Sequence, residues 1–365
     1  MGPERDGDPI EVLHLDPLED ELRDTVVVAR RQWQLVRGSP TWVWIQRSMF
    51  GLAVLAIALP VFALSPIEAR LVSRFVALSV ALLGLQFVVG VCGQLSLCHG
   101  VFVGTGSYTA TIVVTTHHQP HLVGVAVAPF VGFAAGCLIG LLALRVRELY
   151  LGPVTLSVAV AFPMMVKRFG WLTGGSSGLP IRTTMRAPAW LSIPVQKPYL
   201  WHHLVICAVA VVAFVLARNI VGSSVGLAVR AAATNPISAA ASGVRVARIR
   251  VIGFGVGAAF GSLGGALLVL DTPIVGADSY DLFRSLGYYA AVMVGGAAAM
   301  AGAVVGAALL VGVPWIAAVY EVSFGPNLIF GSLLLATTFA APGGVSAVLK
   351  QRLDELVVIS DPVPG

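Results

Sequence analysis

Polar side chains that can donate and accept hydrogen bonds are concentrated in one stretch of this sequence, residues 93–110, which reads GQLSLCHGVFVGTGSYTA. Gln94, Ser96, His99 and Tyr108 lie in this stretch, inside a run of residues, 75–144, that contains no Asp, Glu, Lys or Arg. Amide, hydroxyl and imidazole groups suit contact with a polar solute, and they also bond neighbouring helices together. We expect one of these two roles for the group.

The histidines and aspartates elsewhere in the sequence form three groups, and none of them indicates a metal or catalytic site. Histidines form two groups, His117, His118 with His121, and His202 with His203. We expect no metal at either, because no carboxylate or cysteine completes a ligand set. Aspartates form a third group, Asp271, Asp278 and Asp281, for which we expect a solvated loop, with contact to an external partner as the alternative. No nucleophile–base pair or dinucleotide loop indicates catalysis, so we do not expect an enzyme.

The composition indicates which elements position these residues. Of 365 residues, 57% are hydrophobic and 11% are charged, and the mean hydropathy is +0.88. Soluble domains carry about 25% charged residues. The charge-free run 75–144 would extend roughly 105 Å as a helix at about 1.5 Å per residue, enough for three crossings of a ~30 Å hydrocarbon core. A membrane protein is therefore expected.

Shorter charge-free runs indicate the remaining crossings. They are residues 48–67, 150–166, 198–217, 251–270, 285–320 and 322–349, and we assign two crossings to 285–320 and one to each of the others. Backbone groups in lipid must bond within the segment, so the crossings should be helices. The sequence predicts an all-α, polytopic membrane protein with about ten transmembrane helices. The glycines of 251–270 should permit close helix packing.

The polar ends define the expected domain limits. Residues 47–349 form the transmembrane domain, residues 350–365 a cytoplasmic tail, and residues 1–46 a cytoplasmic extension with an amphipathic helix over 18–36 or a disordered tail. Ten crossings with both termini inside put fifteen Lys and Arg residues in the cytoplasm and eight outside. This bias favours an N-in, C-in topology.

Three segments resemble the permeases of branched-chain amino-acid ABC importers. Residues 93–110 resemble the family pattern GQLSLGHAAFFGIGAYTA, residues 235–244 (NPISAAASGV) resemble NEIAAEALGI, and residues 295–310 (GGAAAMAGAVVGAALL) resemble GGLGTLWGPVLGAALL. Weaker similarity occurs at 173–179 and 261–267, and all five segments follow the family order. Pro236 and Ala240 replace two acidic residues of the family pattern.

The resemblance implies a subunit that carries the solute path in a prokaryotic cytoplasmic membrane. From their polar groups in a charge-free region, we hypothesise that Gln94, Ser96, His99 and Tyr108 line or gate that path. The implied partners are a homologous second permease, two ATP-binding cassette ATPases and an extracytoplasmic solute-binding protein. The sequence has no Gly-x-x-x-x-Gly-Lys-Ser/Thr loop, so ATP is expected to be used by the partner subunits, and no cofactor is expected on this chain.

The same resemblance implies a coupling helix in residues 229–244, which docks on an ATPase. We expect a short helix over 229–242, or one that begins near Asn235, ending at Gly243. Its expected coupling residues are Arg230, Asn235, Ile237, Ala239 and Gly243. An ordinary loop between helices is the alternative.

The solute is expected to be a branched-chain or related amino acid. One alternative is a permease of the same family for urea or short amides. A more distant alternative is an ion-coupled secondary transporter, but that class usually needs ionisable residues within the membrane, which residues 75–144 lack.

Overall fold

A computed structural model describes residues 35–36, 64–145, 150–181, 183–185, 187–188, 197–297, 299–320, 331–332, 344 and 359–360. The helices of this part are α1 (Pro66–Gln86), α2 (His99–Thr115), α3 (His121–Ala143), α4 (Leu151–Arg168), α5 (Gly170–Thr173), α6 (Pro198–Gly222), α7 (Ser224–Thr234), α8 (Pro236–Ala241), α9 (Val246–Leu268), α10 (Leu282–Gly295) and α11 (Ala301–Val319). The prediction of an all-α protein is confirmed.

Strands in the described residues are only two residues long. They are β1 (Leu35–Val36), β2 (Leu179–Pro180), β3 (Ile274–Val275) and β4 (Ile359–Ser360). β2 pairs antiparallel with β3, and β1 pairs in parallel with β4. The chain divides into two units, of which the smaller contains β1 and β4 and the larger contains the eleven helices α1 to α11 of the described residues. The helix predicted over 18–36 is wrong for Leu35–Val36 and otherwise lies outside the described residues.

α1 begins earlier than the charge-free run that predicted it. Pro66 occupies the first turn, where its missing N–H removes no helical hydrogen bond. Ser65 caps the helix, since its Oγ accepts from the Glu68 N–H and its own N–H donates to Glu68 Oε2, at 3.4 and 2.9 Å. The first turns of α1 therefore carry charged residues before the apolar part begins.

α9 is the central helix and packs against α1, α2 and α3. Its small residues allow this, because a Cβ at Gly264 would overlap Ala81 of α1 and a Cβ at Gly265 would overlap the Val103 carbonyl of α2. On α3, a Cβ at Gly136 would overlap Ala258. The predicted glycine-mediated packing of this segment is confirmed.

Five described helical segments are long and apolar enough to cross a bilayer. They are Pro66–Val91, His121–Ala143, Pro198–Gly222, Val246–Asp271 and Ala301–Val319. α2, α4 and α10 occupy three more of the expected crossings but are shorter or more polar. α10, with 14 residues, extends only about 21 Å. The first and tenth crossings lie largely outside the described residues, so the count of ten stays a prediction.

Replacing Gly264 by alanine should destabilise the protein, because the added methyl meets the backbone of α1. We expect Gly264→Ala to lower the free energy of unfolding by about 1–3 kcal/mol, the usual cost of overpacking. Gly312→Ala in α11 is the matched control, since a Cβ there meets nothing within 4 Å. Thermal unfolding of both variants in detergent, followed by tryptophan fluorescence, measures the difference. Equal midpoints would contradict the packing argument.

Candidate functional site

A bend separates α1 from α2 and carries the start of the polar stretch. α1 continues into a π-helix at Phe87–Val91, and Gly93 has a φ of 63°, in the left-handed region that favours glycine. The Gln94 N–H then donates to the Val88 carbonyl at 3.0 Å, and the Leu97 N–H donates to Thr155 Oγ1 of α4 at 3.1 Å. The bend is therefore fixed at both ends.

His99 opens α2 and is fully buried. Its Nε2 lies 2.7 Å from the Ala81 carbonyl of α1, and its ring meets Phe102 and Tyr288 edge-on, with centroids 5.9 and 6.4 Å away. Since a carbonyl only accepts, Nε2 must carry the proton. Nδ1 has no partner among the described residues. His99 thus connects α1, α2 and α10.

The four predicted path residues have different surroundings. Ser96 is fully buried with its Oγ 3.7 Å from Cys98 Sγ. Tyr108 lies further along α2 and donates to the Val275 carbonyl of β3 at 3.5 Å. Gln94 lines a cavity of about 190 Å³, whose wall includes Leu144 and Ala233. In this conformation His99, Ser96 and Tyr108 bond to the protein itself, while their role in transport stays a prediction.

The Gln86 side chain joins α1 to another part of the chain by hydrogen bonds, which the sequence analysis did not predict. Its Nε2 donates to the Gly296 carbonyl at 3.0 Å and also contacts the Ala297 and Ala299 carbonyls, in the turn between α10 and α11. A single amide can therefore satisfy carbonyls that a helix end leaves unpaired. The sequence does contain a sign of this role, because Gln86 is a polar side chain within the charge-free run 75–144.

The expected coupling segment contains two helices, α7 and α8, so one continuous helix over 229–242 is wrong. Asn235 has φ −145° and ψ 94°, because a residue before proline avoids the helical conformation. The alternative start near Asn235 is confirmed: its side chain caps α8 by accepting from the Ser238 N–H at 3.1 Å. Gly243, with a φ of 84°, ends the segment as predicted.

The five expected coupling residues have different surroundings. Ile237 is 82% exposed at the tip of α8, and Asn235 and Gly243 are also exposed. Ala239 is 4% exposed, so its side chain packs within the chain. An Arg230 guanidinium nitrogen donates to the Val221 carbonyl at the end of α6, at 2.9 Å.

α7 also packs against the bend. Its Val229 forms an apolar cluster with Phe87 and Cys92, and Gly93 is close enough to Ala233 that a Cβ would lie 3.2 Å from the Ala233 methyl. The expected coupling segment and the polar stretch are therefore in direct contact.

The expectation of a solvated loop is wrong for Asp271. Its Oδ1 lies 2.9 Å from His202 Nδ1, and both side chains are largely buried. Asp278 is exposed and pairs with Lys167 at 2.7 Å, while Asp281 caps α10. No three His, Cys, Asp or Glu side chains come together as metal ligands in the described residues.

Long apolar helices joined by buried polar groups define this protein as a polytopic α-helical membrane protein. The comparisons give its family: residues 68–342 match the family described as "Branched-chain amino acid transport system / permease component", and the chain belongs to that family. This confirms the resemblance found in the sequence.

Two relatives illustrate the degree of similarity. The "High-affinity branched-chain amino acid transport system permease protein LivM" of Escherichia coli K12 is 26% identical over 282 residues, which cover 72% of this chain and 66% of that protein. The protein of the same name from Salmonella typhimurium LT2 is 25% identical over 282 residues, which again cover 72% of this chain and 66% of that protein. The match thus spans just under two thirds of these relatives. No solved structure matches the chain.

Removing the Gln86 amide should loosen the turn between α10 and α11. We expect Gln86→Met to lower the free energy of unfolding by about 1–3 kcal/mol, since it leaves buried carbonyls unpaired. Gln119→Met is the control, because the Gln119 side chain is exposed. Hydrogen exchange should rise at residues 295–303 in Gln86→Met only. Unchanged exchange there would contradict the role of this amide.

Proposed function

We propose that this chain is the transmembrane permease subunit of an ATP-driven ABC importer for branched-chain or related amino acids. The observation that carries the proposal is the contact between α7 and the bend after α1. The surface formed by α7 and α8 is open to a partner at Ile237, while its inner side contacts Phe87 and Cys92. Family membership supplies the transport role.

Through this contact, a movement of α8 can be transmitted over a short distance to the bend after α1. A partner that moves α8 would move α7 with it, and Val229 and Ala233 press on the segment between Phe87 and Gly93. That segment is a π-helix followed by a left-handed glycine, the type of irregular backbone often found at functional sites. A movement of this segment would be transmitted to Gln94 and His99, which follow it closely in the chain.

The partners that fit this route are two ATPases, one of which docks on α7 and α8 of this chain. A homologous second permease lies beside this chain, and an extracytoplasmic binding protein binds at the opposite end. ATP would be bound by the ATPases alone. The surface of α7 and α8 then lies in the cytoplasm, which agrees with the N-in, C-in topology that the distribution of Lys and Arg favours.

A substitution at Ile237 tests the coupling surface. Ile237→Glu places a charge on an apolar side chain that is exposed in this chain, so folding should be unaffected while docking is lost. We expect uptake to fall about tenfold or more, which corresponds to roughly 1.4 kcal/mol of coupling. Ala239 is a poorer test, because its burial would confuse docking with folding.

Ile237→Val is the matched control, since it keeps the apolar contact. Co-purification of the ATPases with each variant, together with their ATP hydrolysis, separates lost docking from lost expression. Normal uptake by Ile237→Glu would refute the assignment of this surface.

The transport reaction itself is tested with the full complex and its binding protein in proteoliposomes. ATP-dependent accumulation of L-leucine supports the proposal. Accumulation of urea in place of L-leucine would favour the amide alternative. Uptake without ATP that follows an ion gradient would refute an ABC importer.

A further inference from the structure

A second cavity, of about 400 Å³, lies at the end of the helix bundle away from α7 and α8. Its wall includes Arg70 and Arg74 in the first turns of α1, Asp271 after α9, and Arg284 in the first turn of α10. Along α1, Arg70 is about 26 Å from Phe87, where α7 packs. In the proposed topology the cavity therefore faces the outside.

The three arginines of this cavity form no direct pair with a described residue. None of the Arg70, Arg74 and Arg284 guanidinium groups has a hydrogen bond or an ion pair with a described residue. By contrast, Lys167 and Asp278 nearby on the same end do form a pair. All three arginines are exposed, so their guanidinium groups are accessible, and each offers paired N–H donors that suit a carboxylate.

Asp271 brings a negative charge to the same wall. Its Oδ1 is held by His202, but its Oδ2 is buried and has no hydrogen-bond partner in the described residues. A buried carboxylate oxygen without a donor is costly, and a cationic ligand would remove that cost. Asp271 thus gives the wall a negative charge that attracts an ammonium group, beside the guanidinium donors for a carboxylate.

The rest of the wall is suitable for an aliphatic side chain. Leu71, Leu78, Ile206, Leu267 and Leu268 line it together with Tyr280 and Tyr288. The volume lies in the lower part of the roughly 300–1,000 Å³ range of small-molecule sites. A ligand with both charges on one carbon and a branched apolar chain matches these features together.

We propose that this cavity is the outward-facing reception site for an α-amino acid zwitterion, with Arg70, Arg74 and Arg284 for the carboxylate and Asp271 for the ammonium group. The identity of the solute class rests on the proposed function, while the location of the site and its charge arrangement come from the cavity itself. Substrates that lack either charge should bind poorly.

Protection of an introduced cysteine tests occupancy directly. Ser279 is exposed and lines the cavity, so Ser279→Cys can be labelled with a maleimide in the complete transporter in nanodiscs. Labelling of protein that retains Ser279 measures the background from Cys92, Cys98, Cys137 and Cys207. We expect L-leucine to slow labelling, and L-leucinamide and 4-methylpentanoate to slow it much less.

Charge removal then tests the individual residues. Adding Arg74→Gln or Arg284→Gln should raise the half-protecting concentration of L-leucine about tenfold, the effect of losing one charged hydrogen bond. Asp271→Asn should weaken protection by L-leucine but not by 4-methylpentanoate. Arg168→Gln is the matched control, because Arg168 is exposed at the end of α4 and is absent from the cavity wall.

Several results would overturn the proposal: no protection by L-leucine, equal protection by all three compounds, or an equal shift in Arg168→Gln. ATP-driven uptake of L-leucine by the same complex separates the two claims. Uptake without protection refutes the cavity site alone. Protection without uptake supports the site and refutes the proposed function.

Discussion

The close approach of α9 to three other helices is the constraint on which the rest of the structure depends. Lipid offers helices no hydrophobic reason to associate, so packing and hydrogen bonds must hold them together. Glycines at 264 and 265 let backbones meet, and hydroxyls then bond across the contact: Ser107 donates to the Gly265 carbonyl and Ser262 to the Phe102 carbonyl, each at 2.8 Å. The positions of His99, of the bend and of the larger cavity's wall follow from this core.

The sequence predicts this core well because its causes are local. Absence of charge marks the helices, glycines mark the close contacts, and Gly243 marks a helix end. The break at Asn235 was also readable, since Pro236 excludes Asn235 from a helix. The prediction of a continuous helix over 229–242 follows the apolar pattern alone and is wrong because Pro236 interrupts that helix.

Partners across long sequence separations could not be predicted. Gln86 reaches carbonyls about 210 residues away, and Asp271 pairs with His202 from another helix. Both depend on which helix ends meet, which a single sequence does not specify. For this reason, the polar residues near Gly93 drew attention, while the residues that form the larger cavity were scattered through separate segments and were not recognised as a group.

The distribution of regular and irregular backbone suggests where this protein can change shape. Helices packed backbone to backbone cannot slide without losing the contacts that hold them, since packed interiors resist deformation. The π-helix at Phe87–Val91 and the turn at Gly93 are irregular backbone. They are packed as well, since a Cβ at Gly90 would overlap the Ala297 carbonyl. They lie between α7 on one side and His99 on the other, and α1 extends from them to Arg70 and Arg74. In the proposed transporter, α1 is therefore the element through which an ATPase on α8 and a solute in the outer cavity would affect each other.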